Sequence, residues 1–296
     1  MTCYSIGGHI VEVSGKGLGH IPGFLPFVST DDSYREPVLQ LQLGVPLLNH
    51  SESFETKSSS KLLQQFFFGE NADVPCSLAV NNGEYLLRME KPGYAESLVS
   101  IAKHNGVFVA KTNMNSESRV DLLRFGVWIA YGIAALHHQT LALHASTVIY
   151  KGKSILFLGE SGTGKSTHTR LWLDHIAGAE LLNDDSPFVR IMDDNTVSVF
   201  GSPWSGKTPC YKNINTPIAA IVRLSQAPHN RIKRLKGIAA LGALLPSCPP
   251  AFAYDEALSG HIAGIFDVVL QQAPVYSLEC LPDAEAARLV YERLNT

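Results

Sequence analysis

The sequence predicts an α/β fold with a mixed sheet, and three observations carry that reading. Four apolar residues, Ile155–Leu158, run into a glycine loop that is followed by a helix-compatible stretch, Thr167–His175. The run is entered through a hairpin, with Leu141–Tyr150 read as one strand, Lys151-Gly152-Lys153 as a turn and Ser154–Leu158 as its partner. A hairpin supplies an antiparallel neighbour, so the sheet is not of the all-parallel kind. Residues 1–115 differ again: short alternating segments are cut by glycine and proline, the pattern of a β-rich module. The expected division is therefore a small N-terminal module over 1–115 and a second domain over 116–296, whose first part, 116–140, is a connecting helix.

Each element has its own signal. Ile10–Val13 and Pro37–Leu43 alternate as strands do, and Gly44 ends the second. Ser51–Lys61 is polar and serine-rich, the composition of a loop. Ser77–Val80, Glu84–Met89 and Gly106–Lys111 read as further strands, with Asn81-Asn82-Gly83 as a hairpin turn. The scattered His9, His20, His50 and His104 have no ligand spacing and read as surface or packing residues. Ser118–His138 is the strongest helix. Ser118-Arg119-Val120-Asp121 resembles a capping box, and apolar residues then cover nearly every face, which is the mark of a buried helix. Further on, Glu180–Asn183, Pro187–Ile191, Thr196–Phe200, Ile218–Leu224, Arg231–Leu235 and Val275–Cys280 read as strands. Phe252–Leu270 and Asp283–Leu294 read as helices.

Composition narrows the function classes. With 45% hydrophobic and 17% charged residues the 296-residue chain is of globular type. A net charge of −3 without a basic stripe argues against nucleic-acid binding. Five scattered cysteines without Cys-x-x-Cys spacing argue against a disulfide framework or a zinc site and for a reducing compartment. No basic segment followed by an apolar core opens the chain, and no apolar run is long enough to span a bilayer. The expectation is a cytoplasmic protein without a membrane partner, with a homo-oligomer compatible.

The loop itself carries the clearest chemistry. Gly159-Glu160-Ser161-Gly162-Thr163-Gly164-Lys165-Ser166-Thr167 satisfies the Gly-x-x-x-x-Gly-Lys-[Ser/Thr] pattern between a strand and a helix. Its glycines let backbone N–H groups close on phosphate oxygens, and the helix behind presents its positive end. Lys165 reaches the terminal phosphates, and the Ser166 hydroxyl is a ligand for Mg²⁺.

A second cluster follows at the end of an apolar run. In Asp184-Asp185 adjacent side chains point to opposite sides of an extended chain, so one carboxylate is available to a metal and the other to an incoming hydroxyl. His144 precedes the loop by one hairpin, which returns it towards the loop. Gly201-Ser202-Pro203-Trp204-Ser205-Gly206-Lys207 has the punctuation of a loop with a basic tip. Lys207 there is suited to neutralise charge on a transferred phosphoryl group, and Trp204 to stack on an acceptor or anchor the loop. Arg223 and Arg231 are candidate phosphate clamps with salt bridges as the alternative. His168 and Arg170 fit contact with nucleotide or with solvent equally well.

Taken in order, Leu143-His144-Ala145-Ser146, the Gly159–Ser166 loop and Leu182-Asn183-Asp184-Asp185 resemble the catalytic domain of the HPr serine kinase family over roughly residues 141–190. The resemblance implies the core shared with phosphoenolpyruvate carboxykinase, a mixed sheet around the phosphate-binding loop. It also implies ATP as donor, Mg²⁺ as metal, and a kinase acting on a hydroxyl. With the loop as the nucleotide site, Gly159, Glu160, Ser161, Gly162, Thr163, Gly164, Lys165, Ser166 and Thr167 bind the nucleotide. Ser166 and Asp185 hold the metal, Asp184 is favoured as the base and His144 lines the site, while Lys207 joins the catalytic set from the loop's basic tip rather than from the motif. The sequence departs from the family at Thr167, where the family has Glu, and lacks its Ile-Arg-Gly-Leu-Gly-Ile signature. The Gly-Ser-Pro-Trp-Ser-Gly-Lys stretch in that part of the chain looks more like divergent relatives found with peptide-modification gene clusters. The implied acceptor is a serine of a peptide or protein. A small-molecule kinase, a carboxykinase-like enzyme and a nucleotide-sensing module are the alternatives.

Overall fold

The structure is a computed structural model, described here for residues 1–15, 18, 21–29, 35–47, 60–69, 73–117, 119–206 and 208–295. Contacts divide the chain into two compact units. One is Met1–His138 with Ala251–Ser259, and the other is Gln139–Pro250 with Gly260–Thr296. Both are mixed α/β, and both sheets combine parallel with antiparallel pairs.

The N-terminal unit carries an eight-stranded sheet. Its strands are β1 (Thr2–Ile6), β2 (His9–Ser14), β3 (Leu39–Leu43), β4 (Lys61–Phe68), β5 (Val74–Asn81), β6 (Glu84–Met89), β7 (Ser97–His104) and β8 (Val107–Thr112). The order is β1-β2-β3-β8-β7-β6-β5-β4. The expected Asn82-Gly83 turn joins β5 to β6, both residues at positive φ (48° and 79°), as a type I′ hairpin requires. Helix α1 (Val120–Leu136) belongs to this unit, whereas the sequence reading attached 116–140 to the second domain. Gly126 explains its close seat: a Cβ there would come within 2.8 Å of Val99 and 3.3 Å of Met114. Phe125 stacks on Phe68 with ring centroids 4.5 Å apart. The helix start is not the expected capping box. Arg119 is the N-cap at φ 54° without a side-chain cap, and it donates instead to Ala95 O and Ser97 Oγ; Ser118 lies outside the described residues.

The C-terminal unit carries a nine-stranded sheet. It runs through β9 (Thr140–Ala142), β10 (Ala145–Tyr150), β11 (Lys153–Leu158), helix α2 (Lys165–His175) and β12 (Glu180–Asp185). Then come β13 (Phe188–Ile191), β14 (Val197–Phe200), β15 (Asn215–Gln226), β16 (Arg231–Leu235) and helix α3 (Gly237–Leu244). Helix α4 (Glu256–Gln272), which begins in the stretch assigned to the other unit, β17 (Val275–Cys280) and helix α5 (Ala284–Asn295) complete it. The order is β12-β10-β11-β15-β14-β13-β9, with β17 beside β15 and β16 beside β17. Alternate residues on β11 (Ile155, Phe157), β15 (Ala220, Val222, Leu224) and β17 (Tyr276, Leu278) form one core with Trp172 and Ile176 and with Ala287 and Val290. This is the period of two that places every second side chain on one face. Among the described residues no helix is long and apolar enough to cross a membrane.

Two element boundaries differ from the sequence reading. Leu141–Tyr150 is two strands, because the chain leaves β13 at Ala142 and joins β11 and β12 at Ala145. Phe252–Leu270 is a 3-10 turn, Pro250–Tyr254, followed by α4. The sequence reading has no counterpart for β1, β4, β7 or α3. The Ser51–Lys61 loop lies outside the described residues up to position 59, as do His20 and His50.

Candidate active site

Strand register brings the sequence-distant motifs to one edge of the C-terminal unit. On β10, Ala145 lies opposite Leu158 of β11 on one side and Asp185 of β12 on the other. The residue before it, His144, therefore stands between the start of the glycine loop and the end of the aspartate strand. The break in the expected strand puts it there: Leu143 N donates to Pro187 O and His144 N to Ser247 O, so neither residue joins the β10 ladder.

The loop between β11 and α2 is shaped by its glycines. Gly162 and Gly164 have φ of 81° and 99°, a region that L side chains rarely adopt. Gly164 is the N-cap of α2, and the helix makes no side-chain cap bond, so its first N–H groups face the loop. Glu160, Ser161, Gly162 and Thr167 are exposed, while Lys165 is buried, with 9% exposure. Its ammonium donates to Gly159 O (2.9 Å) and Glu160 O (3.2 Å), folded back on the loop. Burial lowers the Lys165 pKa from its ordinary value and Arg223 adds to this, while Asp185 and Asp184 oppose it.

The two aspartates have different surroundings. Asp184 is 3% exposed; its Oδ1 accepts from Ser166 Oγ (2.8 Å) and its Oδ2 from Thr208 N (3.3 Å). Asp185 is exposed, and its Oδ1 lies 3.5 Å from His144 Nε2. The sequence reading paired Ser166 with Asp185 as metal ligands and favoured Asp184 as base; the geometry pairs Ser166 with Asp184. Partial burial and the nearby Lys165 hold His144 below its usual pKa, against the pull of Asp185 and Asp184. Asp185 has φ 145°, outside the ordinary range for a residue with a side chain.

The Gly201–Gly206 loop closes the edge. Gly206 N donates to Asp184 O, and Ser205 bridges Asp185. A Cβ at Gly206 would approach Asp184 O to 3.0 Å, so glycine is what lets the loop lie this close. Trp204 is 6% exposed and packs edge-on against Phe188, 5.9 Å between centroids, which makes it the loop's anchor rather than an open stacking surface. Lys207 lies outside the described residues. Arg223 reaches the loop side: its guanidinium is 3.5 Å from Glu160 and donates to Ala243 O. Arg231 is exposed on β16, opposite Glu279, and Arg170 is exposed on α2.

Beside the loop lies a cavity of about 590 Å³. Gly162, Thr167 and His168 line one wall, and Leu224, Gln226 and Cys280 another. Its position follows from topology, because β11, β15 and β17 run parallel and their carboxyl ends meet there. The carboxyl ends of parallel strands are the usual ligand side of an α/β sheet. His168 is buried edge-on against Phe157 (4.6 Å), and its Nε2 has no hydrogen-bond partner. Burial pushes its pKa down to about 4, so the ring is neutral.

Chemically, this edge offers anion-binding backbone, a buried cation and two hard oxygen donors in contact. Ser166 Oγ and Asp184 Oδ1 form a donor set suited to a hard cation such as Mg²⁺. Sequence reasoning missed Asn183, whose side chain ties the aspartate strand to the Gly201–Gly206 loop, and it missed Gln226, which donates to Gly162 O.

No family model matches the chain, and no curated protein does. Among solved structures it is similar to the Hpr(Ser) kinase/phosphatase from Coxiella burnetii, at 12% identity, covering 52% of this chain and 97% of that one, with a TM-score of 0.29. What the site does is therefore read from its own geometry.

Proposed function

We propose that the chain is a Mg²⁺-assisted, ATP-dependent phosphotransferase acting on a hydroxyl, with a serine of a peptide or protein as the acceptor class. The observation that carries this is the Ser166–Asp184 contact at 2.8 Å beside the glycine loop, with Asp185 and His144 on the open side. The loop N–H groups and Lys165 bind the phosphates. Thr167 and the cavity walls take the nucleoside end. Ser166 and Asp184 hold Mg²⁺, which when bound neutralises phosphate charge. Asp185, exposed and beside a neutral His144, accepts the proton of the incoming hydroxyl. Arg223 adds positive charge near the transferred group. This gives the metal role to the buried aspartate and the base role to the exposed one, the reverse of the order favoured by motif.

Purified protein incubated with Mg·ATP and a library of serine-containing peptides, read by mass spectrometry, tests the proposal. A phosphopeptide made by the wild type and lost in Lys165→Ala and Asp184→Asn is the expected result. Product made equally well by those variants overturns it. Turnover confined to metabolites would point to a small-molecule or carboxykinase-like enzyme. Tight ATP binding with no acceptor-dependent turnover would point to a nucleotide-sensing module.

A further inference from the structure

Asn183 has no exposure to solvent, and a buried amide is costly unless its donors and acceptor are matched. Its Nδ2 faces Trp204 O (3.0 Å), Ser202 Oγ (3.2 Å), Ser202 O (3.4 Å) and Cys210 O (3.5 Å). An amide has two hydrogens to give, so these contacts are shared and the first two are the closest. Its Oδ1 accepts from Ser186 N at 2.8 Å, three residues on, so that the bond spans Asp184 and Asp185. Neighbouring residues on β12 send their side chains to opposite faces. Asp184 accordingly reaches Ser166, while Asn183 reaches the Gly201–Gly206 loop.

We infer that Asn183 is a positioning residue: one buried amide fixes the aspartate turn through its oxygen and the Gly201–Gly206 loop through its nitrogen, and so sets the spacing between the aspartate pair and that loop. The inference rests on the phosphotransferase reading for its functional half. The residue type follows from the two demands. Aspartate would keep the acceptor but set negative charge against the carbonyls of Ser202 and Trp204. Leucine would leave those carbonyls and Ser186 N without the partner they have. Ser202 reinforces the arrangement, since its Oγ donates to Trp204 O (2.8 Å) and accepts from Trp204 N (3.2 Å).

The test uses Asn183→Asp, with Asn183→Ala as a second variant, in full-length protein without nucleotide. Hydrogen exchange followed by mass spectrometry should speed up by about tenfold or more at residues 184–186 and 202–206 and stay unchanged in the β15–β17 core, as for local opening. ADP affinity measured without Mg²⁺ by calorimetry should stay within about twofold of wild type, because the glycine loop and Lys165 are untouched, while kcat for Mg·ATP hydrolysis, with water as acceptor, should fall by about tenfold or more. Wild-type exchange rates at both segments in a folded Asn183→Asp protein overturn the inference, as does a rise in KM with kcat unchanged. If the wild type fails to bind Mg·ADP, the phosphotransferase reading falls, and the exchange data still decide whether Asn183 holds the two segments together.

Discussion

In the Gly159–Ser166 loop the backbone carries the shape. Gly162 at φ 81° has nothing within 4 Å of where a Cβ would stand, so only conformation demands glycine there. In the Gly201–Gly206 loop side chains carry it, through Asn183, Ser202 and Ser205, and glycine serves a different need. Gly201 is not at positive φ, yet a Cβ on it would collide with the carbonyl oxygen of Lys212. The first loop is exposed at Glu160, Ser161 and Gly162. The second is locked by polar contacts that converge on the aspartate strand. The comparison teaches that a site can pair a loop defined by torsion angles with a loop defined by partners, and that only the first kind is written in a local motif.

The largest effect should come from the point where the two loops meet. Asp184 touches Ser166 on one side and Thr208 N on the other, so Asp184→Asn should lower phosphoryl-transfer turnover by about 10²–10³-fold, as should Lys165→Ala. Steady-state kinetics checks both, and a variant within threefold or so of wild type would separate the site from the chemistry. Next in size is Gly201→Ala, expected to destabilise by about 1–3 kcal/mol in denaturant unfolding because backbone must move. Asparagine should not rescue it. At Gly162 the reverse holds: asparagine tolerates the left-handed region, so Gly162→Asn should retain more Mg·ADP affinity than Gly162→Val in a calorimetric titration. If the two positions respond alike, the contrast between torsion and room is lost. The smallest effect concerns His168 behind the first loop. Its folded pKa is depressed to about 4 against a usual 6.5. As pH falls through 6.5 the unfolded chain takes up a proton that the folded one refuses, so stability drops between pH 6.5 and 4 and levels off below. Melting curves at pH 7 and 5 should show His168→Gln losing about 2–4 °C less than wild type.

How much was legible in the sequence follows the same divide. The glycine loop, its strand and its helix could be read because each signal lies within a few residues of the next. The Asn82-Gly83 hairpin was legible for that reason too. Asn183 was not, because its loop partners lie 19 to 27 residues downstream and no local pattern marks them. Strand β4 hides for another reason: a bulge between Leu62 and Gln64 shifts the register and breaks the alternation that signals a strand. Strand β7 buries five consecutive residues, Ser97–Ile101, and so shows no alternation either. The different surroundings of Asp184 and Asp185 follow from the register of β12 against β10, which sequence spacing does not contain. The hairpin pointed His144 towards the loop, but the break at Leu143-His144 has no glycine or proline to mark it.

Asp185 holds φ 145° on a residue with a side chain, where glycine would sit at ease. Replacing a residue by glycine ordinarily weakens a fold relative to alanine by about 0.5–1 kcal/mol, through the freedom gained by the unfolded chain. At position 185 the sign should invert. Both Asp185→Gly and Asp185→Ala remove the carboxylate, but only glycine relaxes the backbone, so the glycine variant should be the more stable of the two by about 1–2 kcal/mol. Selection for thermostability alone would then drift towards glycine at this position, and retention of aspartate among thermostable variants would measure how strongly turnover opposes that drift.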